Sequence, residues 1–165
     1  MISYQYSKKI LKKAIIKIND ENIKSTNSLN RVVSKNVYSG INYPSGDNAA
    51  FDGYAINSND TKNIKKNLPK KFKIIGLIAA GNKPLKKKVQ KYDTVEIMTG
   101  GIIPKGFDTI IPIEQIIFYP NKKNKKYILI EKKISKYNHV RFAGSDFKKK
   151  EIIVKKNTII QPNHI

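Results

Sequence analysis

Pro44-Ser45-Gly46-Asp47-Asn48-Ala49-Ala50-Phe51-Asp52-Gly53-Tyr54-Ala55-Ile56 sets a turn-forming proline, two carboxylates and two glycines directly before an apolar run. Pro44 keeps itself and Tyr43 out of helix, Ser45-Gly46-Asp47 is turn chemistry, and the residues after Asp52 have strand character. The stretch reads as a loop feeding a strand. A second stretch, Glu96-Ile97-Met98-Thr99-Gly100-Gly101-Ile102-Ile103-Pro104-Lys105-Gly106-Phe107-Asp108, repeats the recipe with an apolar strand, a glycine pair, a proline and a terminal acid. Two such loops predict one composite site.

Upstream, Ser3 is an N-cap candidate, and Leu11, Ala14, Ile15 and Ile18 follow at the spacing of one helical face. A second, shorter helix is predicted from Thr26 through Leu29, Val32 and Val33, and residues 36–46 read as extended. Downstream, residues 57–71 are polar loop. Short β-branched or aromatic segments then recur at 72–78, 94–98, 109–113, 116–119, 127–130 and 140–142. Pro120-Asn121-Lys122-Lys123-Asn124 reads as a hairpin loop, and residues 151–160 carry two more apolar runs around Lys155-Lys156-Asn157. The expected class is α+β: N-terminal helices and an extended linker (1–46), a glycine-rich mixed β lobe (47–136), and a returning β linker (137–165).

The chain has 165 residues and no cysteine, which excludes disulfides, thiolate metal sites and cysteine nucleophiles. No apolar run approaches the roughly 20 residues of a spanning helix, so a soluble, cytoplasmic protein with no membrane partner is expected. The net charge of +21 invites a nucleic-acid reading. Against it, Arg31 and Arg141 are the only arginines, and the lysine pairs and triplets are spread along the chain rather than on one stripe. That pattern matches the residue bias of an AT-rich genome, and a nucleic-acid partner ranks last.

Only 12 acids stand against 33 bases, which singles out acids beside glycine. Asp47 and Asp52 have the chemistry for Mg²⁺, which takes one or two carboxylates plus substrate oxygens. They equally suit a turn cap and a carboxylate bonded to its own loop's amides, and the residues alone favour that reading. Thr99-Gly100-Gly101 offers backbone amides and a hydroxyl to an anion or a pterin edge, or is simply a turn. Ala79-Ala80-Gly81 reads the same two ways; Asp108, Glu114 and Asp146 fit strand ends and turns, and His139 and His164 lack metal-ligand spacing.

The order of these motifs is more specific than any one of them. Residues 47–56, then Ile78-Ala79-Ala80-Gly81, then residues 96–108, then Val140-Arg141-Phe142-Ala143-Gly144-Ser145-Asp146, with Leu29-Asn30-Arg31-Val32-Val33-Ser34 and Tyr43-Pro44 ahead of them, resemble the N-terminal and linker region of molybdopterin molybdotransferases, the MoeA and gephyrin E-domain family. The resemblance covers nearly the whole chain. It implies insertion of molybdate into adenylylated molybdopterin with release of AMP, Mg²⁺ as cofactor, and a homodimer. The site it implies lies in a cleft between one subunit's β lobe and the other's larger α/β domain. It further implies Asp52 and Thr99 as catalytic residues, with Asp52 also the Mg²⁺ ligand. As substrate-binding residues it implies Asp47, Gly53, Tyr54, Gly100, Gly101, Asp108 and Asp146.

The chain departs from that pattern at Ala49 (usually serine), Phe51 (methionine), Gly101 (alanine) and Ser145 (glutamate). It ends at Ile165, before the expected α/β domain. The expectation is an N-terminal part that acts only with that domain supplied by a separate C-terminal chain. The alternative is a non-catalytic remnant or dimerising binding module of the same family.

Overall fold

The computed structural model describes residues 2–14, 18–65, 67–82, 85 and 87–165. The chain divides into two compact units, one of residues 1–37 and 152–165, the other of residues 38–151.

In the first unit, α1 (Tyr4–Lys13) is capped by Ser3, whose Oγ accepts from the Tyr6 amide at 3.3 Å. Of the expected helical face only Leu11 lies in the helix, none of which is buried; Ala14 is the C-cap, Ile18 lies beyond the end, and Ile15 falls outside the described residues. The second expected helix does not form. Thr26 sits inside a single 3₁₀ turn, Ser25–Asn27, and Leu29 and Val32 are exposed. Residues 30–33 instead pair in extended form with the C-terminal segment: Val33 N donates to Thr158 O, Ile160 N to Arg31 O, and Val32 bridges Ile159. The β-branched pair Val32-Val33 favours that conformation, and one turn of apolar spacing does not nucleate a helix. The expected α+β class with N-terminal helices is thus corrected to a mostly β chain with one α-helix among the described residues. Short strands β1 (Val37–Tyr38) and β10 (Ile152–Val154) pair with each other.

The second unit is built on β3 (Gly53–Ile56), β4 (Lys70–Ile78), β5 (Asp93–Ile97), β6 (Thr109–Pro112), β7 (Ile117–Tyr119) and β8 (Tyr127–Ile130), in the order β6-β3-β5-β4-β8-β7. Neighbours are antiparallel except β4 and β5, which run parallel. All the expected strands appear, shifted by one or two residues at their ends. β6 stops at Pro112, where Ile113–Gln115 turn as a 3₁₀ helix. The hairpin loop is tied by Asn121 Oδ1, which accepts from Asn124 N at 2.9 Å.

β3 is buried along its whole length. Its alternation sends Tyr54 and Ile56 to one core with Phe72, Ile111 and Ile128, and Ala55 to the other with Ile78, Val95, Ile97 and Ile110. The stretch after Asp52 is apolar at every position because both faces of its strand are covered. A second small pairing, β2 (Asn48–Ala49) with β9 (Val140–Arg141), carries the loop that leads into β3.

Candidate functional site

Strand direction gathers the site. β4 and β5 run parallel, so the turns that follow them, residues 79–82 and 99–101, lie at the same sheet edge, and β3 begins at that edge with Gly53 opposite Ile97. Asp52 therefore stands next to Thr99. Its Oδ1 accepts from Thr99 N at 2.7 Å and from Thr99 Oγ1 at 2.7 Å. The residues 47–52 are laced between two other segments. Ala49 exchanges backbone bonds with Gly100 and Gly101, Asp47 O accepts from Ile103 N, and Ala50 N donates to His139 O. Asp47 Oδ1 accepts from Ala143 N at 2.9 Å, and the ring of Phe51 meets His139 edge-on at 5.0 Å between centroids. Glycine is required at two points here. At Gly53 a Cβ would lie 2.1 Å from Ile111 O, and Gly100 turns the loop at φ +78°.

Asp52 is exposed, and the two Thr99 bonds, the amide foremost, hold its carboxyl below the usual 3.8. The carboxylate stays charged where an ordinary aspartate takes up its proton. Its Oδ2 accepts no hydrogen bond among the described residues. Because the folded pKa is depressed, the contribution of this contact is present above the unfolded value and is lost as pH falls through the lower folded one. A carboxyl-carbon NMR titration should put the Asp52 midpoint below 3.8, and in Thr99→Ala it should move back toward that value while the amide bond keeps it lowered.

The other expected site residues are placed as follows. Thr99, Gly100 and Gly101 do not present free amides: Thr99 N bonds Asp52, Gly100 N bonds Ala49 O, and Gly101 N bonds Met98 O. Their donors are consumed in holding the two loops together. Tyr54 is fully buried, its ring edge-on to Phe118 at 5.9 Å, so it packs the core. Burial foremost, with Glu96 beside it, pushes its phenol upward.

Asp108 lies at the far end of β3, next to Ile56, about 13 Å of strand away from Asp52. Both its oxygens are engaged there, by Ser58 N at 2.7 Å and Ser58 Oγ at 2.9 Å. Asp146 pairs with the Arg141 guanidinium at 2.5 Å. Asp47 and Asp108 both border a separate cleft of about 440 Å³ with Lys105 and Lys136. Those two lysines carried no sequence signal. His139, which lacks metal-ligand spacing in the sequence, positions the loop through its carbonyl and its ring. The structure thus joins Asp52, Thr99, Gly53 and Gly100, with Gly101 and Asp47 as close supports, and leaves Tyr54, Asp108 and Asp146 out of the contact.

Among the described residues no three His, Cys, Asp or Glu side chains gather as a metal cage. A single charged, exposed carboxylate with one uncommitted oxygen fits Mg²⁺ of the kind held mainly by water and substrate oxygens.

A mixed six-stranded sheet with glycine turns at one edge, and an aspartate clasped to a threonine there, is a β lobe whose fold recurs in a molybdopterin biosynthesis protein. The crystal structure of the molybdopterin biosynthesis MoeA protein from Pyrococcus horikoshii OT3 matches it with a TM-score of 0.84 at 29% identity, over 99% of this chain and 42% of that one. The chain belongs to the MoeA N-terminal region family (domains I and II), whose model matches residues 2–165. Molybdopterin molybdenumtransferase of Staphylococcus aureus is 30% identical over 138 residues, 84% of this chain and 32% of that protein. The Haemophilus influenzae protein of the same name is 31% identical over 134 residues, 81% of this chain and 30% of that one. This chain spans about a third of the length of these relatives. Among the described residues no helix is long and apolar enough to cross a membrane.

Proposed function

We propose that this chain furnishes the β-lobe half of a molybdenum-inserting site, where adenylylated molybdopterin receives molybdate and releases AMP. The observation that carries the reading is the Asp52–Thr99 clasp. It fixes one carboxylate oxygen by two hydrogen bonds and leaves the other, charged, pointing out of a loop edge built for close approach. In this reading Asp52 holds Mg²⁺ or a water, and Thr99 is its positioning residue. Mg²⁺, when bound, would offset charge on the phosphoanhydride oxygens. Asp52 would orient that cation toward the substrate, and the rigid 47–52 and 99–101 loops would keep the carboxylate from following the leaving group. The rest of the pocket would come from an α/β domain, within a homodimer or from a complementing chain in the cytoplasm.

A second reading is favoured by one observation: the amides of Thr99, Gly100 and Gly101 are already paired. On that reading the lobe is a non-catalytic module. The test is a chimera in which this chain replaces the matching region of the Staphylococcus aureus relative, assayed for AMP release from adenylylated molybdopterin with Mg²⁺ and molybdate. Molybdate-dependent release is expected. A folded chimera that releases no AMP would establish the non-catalytic module.

A further inference from the structure

On the three-strand half of the sheet, one face lies opposite the Phe72–Ile128 core. Alternation along β4 puts Lys71 and Lys73 on that face, because Phe72 and Ile74 pack into the core on the other. Register carries the face across: Lys73 opposes Tyr127, Lys71 opposes Leu129, and Tyr127 opposes Tyr119 on the edge strand β7. Both lysines and Tyr119 are exposed, and Tyr127 is half-buried. The two tyrosine rings sit 6.4 Å apart, tilted by 60°, and Lys71 Nζ lies 3.6 Å from the Tyr119 ring centre. Past Lys73 the face enters a cleft of about 330 Å³ that also holds Lys87 and Lys88. Among the described residues the one acid lining it, Asp93, is buried and accepts from Gln90 N at 2.8 Å, so it offers little opposing charge.

We propose that this face binds single-stranded nucleic acid, with bases stacking on Tyr119 and Tyr127 and phosphates meeting Lys71, Lys73, Lys87 and Lys88. Aromatic rings flanked by cations on an open sheet are the chemistry of a sequence-tolerant strand platform. A stacked base would displace the exposed Lys71 ammonium from the ring toward the next phosphate. A duplex is disfavoured, since its bases are already stacked and the face offers neither an arginine fork nor a helix for a groove. The spread of lysines along the sequence ranked a nucleic-acid partner last; the fold brings Lys71 and Lys73 beside two tyrosines and sets Lys87 and Lys88 in the cleft that Lys73 borders.

The decisive comparison separates stacking from diffuse attraction to a chain of net charge +21. Binding of a fluorescent thymidine oligomer of about 12 nucleotides is followed by anisotropy across a salt series. The double variant Tyr119→Leu/Tyr127→Leu, unchanged in charge, should bind roughly 10-fold or more weaker at every salt. Tyr119→Phe/Tyr127→Phe should bind like the parent. Lys87→Gln/Lys88→Gln should flatten the salt slope by about 1 to 2. With the unmodified chain, photocrosslinks from a thiothymidine oligomer should map to the peptides holding Tyr119 and Tyr127. Equal binding by a folded leucine variant, equal binding of duplex, crosslinks elsewhere, or no binding at low salt would each overturn the proposal.

Discussion

Gly53→Ala should destabilise the fold by roughly 3 kcal/mol or more, among the largest effects of any single methyl group in this chain. The added Cβ would stand 2.1 Å from Ile111 O and 2.9 Å from Ile111 C, and both are backbone atoms. A flexible side chain could swing away from such a contact; a paired backbone cannot. β3 is hydrogen-bonded to β5 on one side and β6 on the other, so relieving the clash means parting β6 from β3 or shifting β3 against both cores. Urea denaturation should show the loss as a lower midpoint at similar slope. Gly40→Ala is the matched control: nothing lies within 4 Å of its added Cβ, and the change should stay within about 0.5 kcal/mol. Equal stability of the two variants would contradict the close approach of β3 and β6. The consequence reaches the site, because Gly53 is the residue that follows Asp52.

What could be read from the sequence follows the range of the forces involved. β4, β5, β7 and β8 were legible because β-branched and aromatic runs bounded by turn residues are local signals, and so was the hairpin loop at Pro120 to Asn124. The helix expected after Thr26 was not there, because Val32 and Val33 find extended partners near Thr158 and Ile160, over 120 residues away along the chain. The two loops of the site were legible as motifs, yet their pairing was not. Asp52 and Thr99 are 47 positions apart and Ser58 and Asp108 are 50, and only the antiparallel register of β3 with β5 on one side and β6 on the other decides which acid meets which loop. Asp108 is the terminal acid of the second loop, and strand direction puts it at the opposite end of β3 from Asp52. Tyr54, which the resemblance implied as substrate-binding, is buried with both faces of β3 covered, and its burial could not be read from the motif alone.

Asp52→Asn, placed in the chimera, should lower molybdate-dependent AMP release by at least about 100-fold while the chimera stays folded, its unfolding midpoint falling only by the charge-dependent part of the clasp. The substitution is informative because the amide oxygen can still accept from Thr99 N and Thr99 Oγ1, so the clasp that both groups make at 2.7 Å survives. What disappears is the negative charge at the outer oxygen. A cation held there would lose its one protein carboxylate, and an amide NH₂ pointing outward would repel it. Thr99→Ala acts on the other term. It removes the hydroxyl bond and keeps the amide bond, so the carboxylate remains charged but is held by one hydrogen bond instead of two, and a smaller loss is expected. Raising Mg²⁺ separates the two variants further. If Asp52 works by holding the ion, excess Mg²⁺ should restore part of the activity of Thr99→Ala, whose ligand is intact but loose, and little of Asp52→Asn, whose ligand is gone. Full activity in Asp52→Asn would remove the carboxylate from the reaction and leave the clasp as a structural fastening between two loops. Loss in Asp52→Asn with a rescued Thr99→Ala would place the charge at the chemistry and the threonine one step behind it.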